Sequence, residues 1–350
     1  MEKLAISVLL ISLLSCADLD PDSTTGNQPH FEIVKLREGV WAAIATNGRH
    51  AVANSGIVDL GARKIVIFDT SLTPEVGKLL KEAAESLIDG DVFLVVNSNF
   101  ESDHVRGNQV FDDDATIFGT TRTQQGVNEN EPARLEFEQQ HARELLEDVR
   151  ERVRNATDEH DRKNLALQLG YFEALASSVD DVVPTTSTLV WDHKMNFTGA
   201  VRRIKIIPFG HAATESDAVL YLEADSLVFA SDLLVVDRHP AMQASNLKGW
   251  RAALDSLELL PVYEMIPGHG PVTDKSAIDR TRQYLDMVEQ MANEISAGRI
   301  TAAESVPAHP FDELLRADRF SDNLLATIRS SEQADQAEGK AKGAEELHGL

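Results

Sequence analysis

The chain has 350 residues, 43% of them hydrophobic and 26% charged, enough for one large soluble domain or two ordinary ones. Its 57 acidic residues outnumber 33 basic ones, and the resulting net charge of −24 argues against nucleic acid and anionic membrane surfaces as partners. Met1-Glu2-Lys3 and the apolar run "LAISVLLISLL" have the proportions of a signal peptide, and the run is too short to span a bilayer as a mature helix.

That run ends at "LLSC", where Cys16 is the sole cysteine. The stretch resembles a bacterial lipoprotein box; an ordinary secretory signal with an incidental cysteine is the alternative. The resemblance implies a signal peptide over 1–16, a lipid on Cys16 as the sole membrane contact, and a polar tether over 17–31. Ala17 after the cysteine then favours the periplasmic face of the outer membrane. With Cys16 at the cleavage point, the mature domain has no disulfide and no thiolate ligand.

The body opens with β signals over 30–46 and 50–71, broken by Gly39, Gly56 and Gly61. A helix follows over 73–89, with Thr73 and Pro74 at its start and Gly90 after its end. "DVFLVVNSN" is an unbroken apolar run and predicts a strand buried on both faces. Between 131 and 178 two amphipathic patterns, one on Leu135, Ala142, Leu146, Val149 and Val153 and one on Leu165, Leu169, Phe172 and Leu175, predict a helical hairpin. Strand signals return at 186–197, 200–211, 217–224 and 226–236. A helix over 247–260, a strand and loop at 263–272 and a long helix from 276 come next. Two short helices are expected within 301–332, and 333–350 is polar and weakly patterned enough to be disordered. Strands alternating with helices give an α/β class.

Four chemistry-bearing features sit at the ends of apolar runs, and a fifth closes the series. They are Asp69 in "IVIFDT", the cluster Asn99, Glu101, Asp103 and His104, then His211 in "PFGHAA", Asp232 in "LVFASD" and His269 in "IPGHGP". Any one alone reads as an ordinary loop residue. Five in series is how an α/β sheet delivers ligands to one edge. His239 in "DRHPA" stands near Asp232 in sequence, with a capping or core role as its plainer reading. Trp41, Trp191, Trp250, Tyr171 and Phe172 suit either core or pocket walls.

In this order and spacing the features resemble the metallo-β-lactamase fold superfamily, whose pattern is His-x-His-x-Asp-His, Gly-His, Gly-Asp and Pro-Gly-His-Gly. The resemblance covers 32–300, with 131–178 as an insertion, and implies a four-layer αββα sandwich with metal at one edge. It makes Asp69 an outer-shell aspartate and Asp103, His104 and His269, with bridging Asp232, one complete metal position. The other position departs from the pattern, because Asn99 and Glu101 stand where histidines belong and His211 alone remains. Ser231 replaces the usual glycine before Asp232.

Two imidazoles and a carboxylate suit zinc with open positions for water, and Asp232 makes the site harder, hence tolerant of manganese or iron. Asn99 is expected to hydrogen-bond a water or substrate oxygen, and Glu101 to act as general base beside Asp103. Three readings stay open: a hydrolase with one zinc, a dinuclear hydrolase with Glu101 as a ligand, and a non-catalytic lipoprotein that keeps the fold for binding. Restoring histidines at 99 and 101 is expected to raise the zinc count. The substrate is expected to be a small molecule with an ester, lactam or thioester-like carbonyl, a β-lactam among the candidates.

Overall fold

The computed structural model describes residues 29–300 and 308–332. The signal peptide, tether residues 17–28, the short helix expected at 301–307 and the tail 333–350 lie outside the described residues. No described helix is long and apolar enough to cross a membrane.

Strands β1 (Phe31–Arg37), β2 (Val40–Ala45), β3 (Ser55–Asp59) and β4 (Lys64–Phe68) form an antiparallel meander. The Thr73 hydroxyl then accepts from Val76 N at 3.2 Å, and Pro74 presets the first turn of α1 (Pro74–Ile88). The chain re-enters the sheet in parallel as β5 (Asp91–Val96), passes through α2 (Ser102–Val105) and a 3-10 turn (Arg106–Val110), and adds β6 (Thr116–Gly119). Helices α3 (Thr121–Asn155) and α4 (Glu159–Ser178) follow, and β7 (Leu189–Val190) completes a seven-stranded sheet in sequential order.

The second sheet has the order β12-β11-β10-β9-β8. Its members are β8 (Met195–Thr198), β9 (Arg203–Gly210), β10 (Asp217–Leu222), β11 (Leu227–Val235) and β12 (Glu264–His269). Helix α5 (Leu247–Glu258) links β11 to β12 in a parallel crossover, and α6 (Ser276–Ser296) and a last helix over 318–332, α7, follow.

Side-chain alternation explains the layering. In β4, Val66 and Phe68 face the second sheet and meet Leu220, Phe229 and Ile266, while Ile65 and Ile67 face α1 and meet Leu80 and Ala84. Strand β5 is also covered on both faces, but its register against β4 shifts between Ile65 and Val66. Phe93 is the extra residue and emerges 40% exposed, under the Lys64 ammonium. On the outer face of the second sheet, Trp250, Leu254 and Leu285 of α5 and α6 bury with Phe311 and Leu324 of the C-terminal segment. The result is the four-layer αββα sandwich, with its site edge at the strand ends.

Two boundaries and one strand stand out against the sequence reading. Helix α3 begins at Thr121 rather than 131, because Thr120 caps it and Gly126 lies against Phe100, where a Cβ would come within 2.4 Å of the ring. The sequence "TRTQQGVNENEP" has no apolar stripe to betray that turn. The last helix begins at 318 rather than 311, since Leu315 is held as a β-bridge by Asp237 O and His239 N, and Arg316 takes φ +61. Strand β6 has four residues and no counterpart among the elements read from sequence.

Candidate metal centre

The candidate ligands arrive on α2, within β11 and at the end of β12. The β5 strand runs out at Val96, and α2 turns Asp103 and His104 inward, both buried. β12 ends on His269, and Asp232 sits within β11 directly beside it. Gly268 is required there, because a Cβ would stand 2.2 Å from Asp232 Oδ1. Ligand atoms of Asp103, His104 and His269 all fall within 4.8 Å of one another. His104 Nε2 lies 3.0 Å from Asp232 Oδ2, and His269 Nε2 lies 3.3 Å from Asp232 Oδ1 and 3.6 Å from Asp103 Oδ2.

Both imidazoles have one nitrogen already committed. His269 Nδ1 is 2.9 Å from the Val52 carbonyl, which only accepts, so the ring must donate from Nδ1 and keep its lone pair on Nε2. His104 Nδ1 is 2.8 Å from Asp69 Oδ2 and is oriented the same way. Among the described residues, His104 Nε2 and Asp232 Oδ1 are buried with no hydrogen bond of good geometry despite these close approaches. Orphaned lone pairs are costly in a protein interior, and a divalent cation shared by these atoms satisfies them. The donor set therefore fits a metal.

Electrostatics agree. Burial opposes charging His104, but the carboxylates of Asp232, Asp69 and Asp103 outweigh it and raise its pKa well above the ordinary histidine value. Burial would raise Asp232, yet His104 and His269 hold it well below the usual carboxylate range. Burial, then the Asp232 and Asp103 charges, push Glu101 up to about 7. Carboxylates crowded this closely call for a cation, whether protons or a metal.

The sequence reading is corrected at two positions. Asn99 is fully buried and committed: its Nδ2 donates to Asp232 Oδ2 at 3.0 Å and its Oδ1 accepts from Glu101 N at 2.8 Å. It braces the ligands rather than facing a water or substrate. His211 is exposed, with Nε2 2.9 Å from the Ala244 carbonyl, and does not join the ligand cluster. The loop is pinned from inside, since Ala212 N and Thr214 N donate to Asp217 and Asn246 N donates to Ala212 O, which leaves position 211 on the outer face. His239 is buried in the core against Tyr284 OH at 2.8 Å. Trp41, Trp191 and Trp250 are likewise core residues.

Ser98, Arg134 and Arg319 went unread in the sequence, and Ser231 was read there only as a replacement for glycine. Ser98 and Ser231 sit behind His104, with hydroxyls 2.6 Å apart and each bonded to Asp69 Oδ2, at 2.7 and 3.2 Å. Ser231 thus gives its glycine-like backbone, φ +47, a side-chain role. Arg134 donates to Ser102 Oγ at 2.7 Å and its charge acts on Glu101. Arg319, from α7, lines a cavity of about 10 Å³ with Glu101, Asp232 and His269, room for about one water. No motif marks Arg319, because it reaches the site only through the tertiary placement of the C-terminal segment.

The family model described as the metallo-beta-lactamase superfamily matches residues 49–269, from the loop that carries Val52 to His269. The chain belongs to the metallo-beta-lactamase superfamily. Solved structures with the same fold include a metallo-beta-lactamase from Pontibacter korlensis, 16% identical with a TM-score of 0.54 over 73% of this chain and 99% of that one. The VMB-1 structure is 15% identical, with a TM-score of 0.53 over 74% and 98% of the two chains. The DIM-1 metallo-beta-lactamase is 13% identical, with a TM-score of 0.52 over 74% and 98%. No curated protein matches the chain. The superfamily is one of metal-dependent hydrolases, and the C-terminal segment that carries Arg319 lies beyond the matched residues.

Proposed function

We propose that the protein is a hydrolase that works with a single divalent metal ion, zinc for preference and manganese or iron as alternatives, held by Asp103, His104, His269 and Asp232. One observation carries the reading: both imidazoles present Nε2 to a common point, with their Nδ1 atoms fixed by Asp69 and by Val52 O. The other metal position of the superfamily lacks its donors, since Asn99 is tied to Asp232 and His211 faces outward. That difference favours one ion over the dinuclear alternative in which Glu101 ligates. Three aligned ligands with orienting partners also weigh against a binding protein that merely retains the fold.

A metal bound here supplies Lewis acidity and lowers the pKa of water to near neutrality. The chain's own residues do the rest. Glu101, on the wall of the same small cavity, takes the proton from the attacking water. Asn99 and Asp69 hold Asp232 and His104 in place. Arg319 lines the same cavity as Glu101, and its charge would stabilise negative charge developing on a carbonyl oxygen. The substrate is a small molecule with an ester, lactam or thioester-like carbonyl, and β-lactams belong to the test set. We read the enzyme as an outer-membrane lipoprotein anchored through Cys16.

The test is turnover across ester, β-lactam and thioester substrates by metal-loaded protein, chelated protein and the His104→Ala variant. Hydrolysis that requires metal and is lost in His104→Ala supports the reading. Metal-loaded protein with no turnover on any of the three classes contradicts it and favours a binding role.

A further inference from the structure

A second cavity of about 570 Å³ lies beside the metal centre, and no step above uses it. Its walls come from the end of β11 and the loop after it, the first turns of α6, part of α4 and the segment 311–315. Val235, Val236, Leu314 and Leu315, all half-buried, give it apolar surface, and the buried rings of Trp250, Tyr284 and Phe311 back its wall. Val235 and Pro240 line both cavities, so the two share a wall. Size and lining suit a small organic molecule.

One charge on this wall lacks an answer. Arg280 pairs with Glu313 at 2.6 Å and stacks on Phe311, and Asp237 is exposed. Arg238 is 8% exposed, and among the described residues no carboxylate lies within 4.0 Å of its guanidinium. Its Nη2 donates to Asn47 Oδ1 at 2.8 Å, and its Nε has no partner. Arg106, the other arginine in the buried class among the described residues, lies between Glu131 at 2.5 Å and Glu138 at 2.6 Å. Burial, then the neighbouring charges of Arg319 and Arg316, lower Arg238 to about 10, so it stays cationic at neutral pH. A buried guanidinium with no carboxylate in salt-bridge reach is costly, and in a chain of net charge −24 such a cation is selective for an anion.

We propose that this cavity binds an organic carboxylate with an apolar body, its carboxylate on Arg238 and its body against Val235, Val236, Leu314 and Leu315. The identity of that ligand rests on the hydrolase reading. Adding water across an ester, lactam or thioester carbonyl releases a carboxylic acid, so the ligand is the product acid, and the substrate carries the same apolar acyl part.

The test is calorimetric titration of octanoate, 1-octanol and octylamine into the full-length, metal-loaded protein, with intrinsic tryptophan fluorescence as a second readout because Trp250 lines the cavity. Octanoate should bind at one site per chain, at least tenfold more tightly than octylamine. Arg238→Met should weaken octanoate at least tenfold and leave 1-octanol unchanged. Ala277→Phe, which fills the cavity, and Ser276→Phe at its exposed mouth should both abolish binding; the second keeps the test alive where the first fails to fold. Octanoate should still bind His104→Ala, which separates this cavity from direct coordination to the metal.

Absence of octanoate binding, equal affinity for octylamine, or binding unaffected by Arg238→Met and Ser276→Phe each overturns the inference. Loss of octanoate binding in His104→Ala overturns it too, by placing the carboxylate on the metal. Turnover without octanoate binding defeats this inference alone. Octanoate binding without turnover leaves it standing and defeats the hydrolase reading.

Discussion

Replacing Asp69 by Asn isolates the contribution of the carboxylate behind His104. The backbone there has φ +60, which Asn tolerates, so the turn is kept and only the chemistry changes. Asp69 Oδ2 accepts from His104 Nδ1 at 2.8 Å and from Ser98 Oγ at 2.7 Å, while Oδ1 accepts from Ser98 N at 2.8 Å. Asn keeps one acceptor oxygen. Turned toward Ser98 N, its amide group meets the His104 Nδ1–H donor to donor and drives the ring proton to Nε2, the ligand nitrogen. Turned the other way, it meets the Ser98 N–H. Outer partners of ligating histidines are worth about 10- to 100-fold in metal affinity, or about 1.4–2.8 kcal/mol. Asp69→Asn should therefore weaken zinc binding by about 10- to 100-fold without changing the count at saturation. Competition against a chromophoric chelator measures it. Unchanged affinity in a folded variant would refute the orienting role of Asp69.

Glu101→Gln should retain the metal and slow turnover by about a hundred- to ten-thousand-fold; wild-type rates in that variant would remove Glu101 from the reaction. Asn99→His combined with Glu101→His should stay at one tight zinc, contrary to the expectation from sequence, because His211 remains on the outer face; a second tight ion measured by plasma mass spectrometry contradicts this. His239 is held at about 4 by burial and His309, below its unfolded value of 6.5. The unfolded state therefore binds the extra proton, and stability present above pH 6.5 falls as pH drops toward 4, by at most about 3 kcal/mol. Urea melts of the wild type and His239→Gln between pH 7 and pH 4.5 check this, and equal slopes would refute it. Cys16→Ala should shift the protein from the outer-membrane fraction to soluble or unprocessed material; unaltered fractionation counts against the lipid anchor.

What the sequence reveals depends on whether a residue's role is local. Asp103, His104 and His269 follow apolar runs and match the superfamily's motifs, so the resemblance named them as a ligand group before any fold was known, and the fold brings their ligand atoms within 4.8 Å of one another. The α/β class was readable from strands alternating with helices, whereas the four-layer sandwich followed only from the family resemblance that the motifs carry. Other features depend on partners distant in sequence. His211 occupies the expected position after Gly210, but Asp217 and Asn246 pin its loop and decide which way it faces. Asn99 looks free until Asp232 is placed against it. Arg319 enters through the C-terminal segment, whose path is set by the bridge between Leu315 and the 237–239 backbone, and no periodicity encodes that contact.

The central claim is one tightly held metal ion on Asp103, His104, His269 and Asp232. Metal content per chain of protein purified without added chelator, compared with His104→Ala and His269→Ala, tests it most directly. The account predicts close to one equivalent in the wild type and near zero in both variants. Two tight equivalents in the wild type, or one equivalent that survives loss of either histidine, would contradict it.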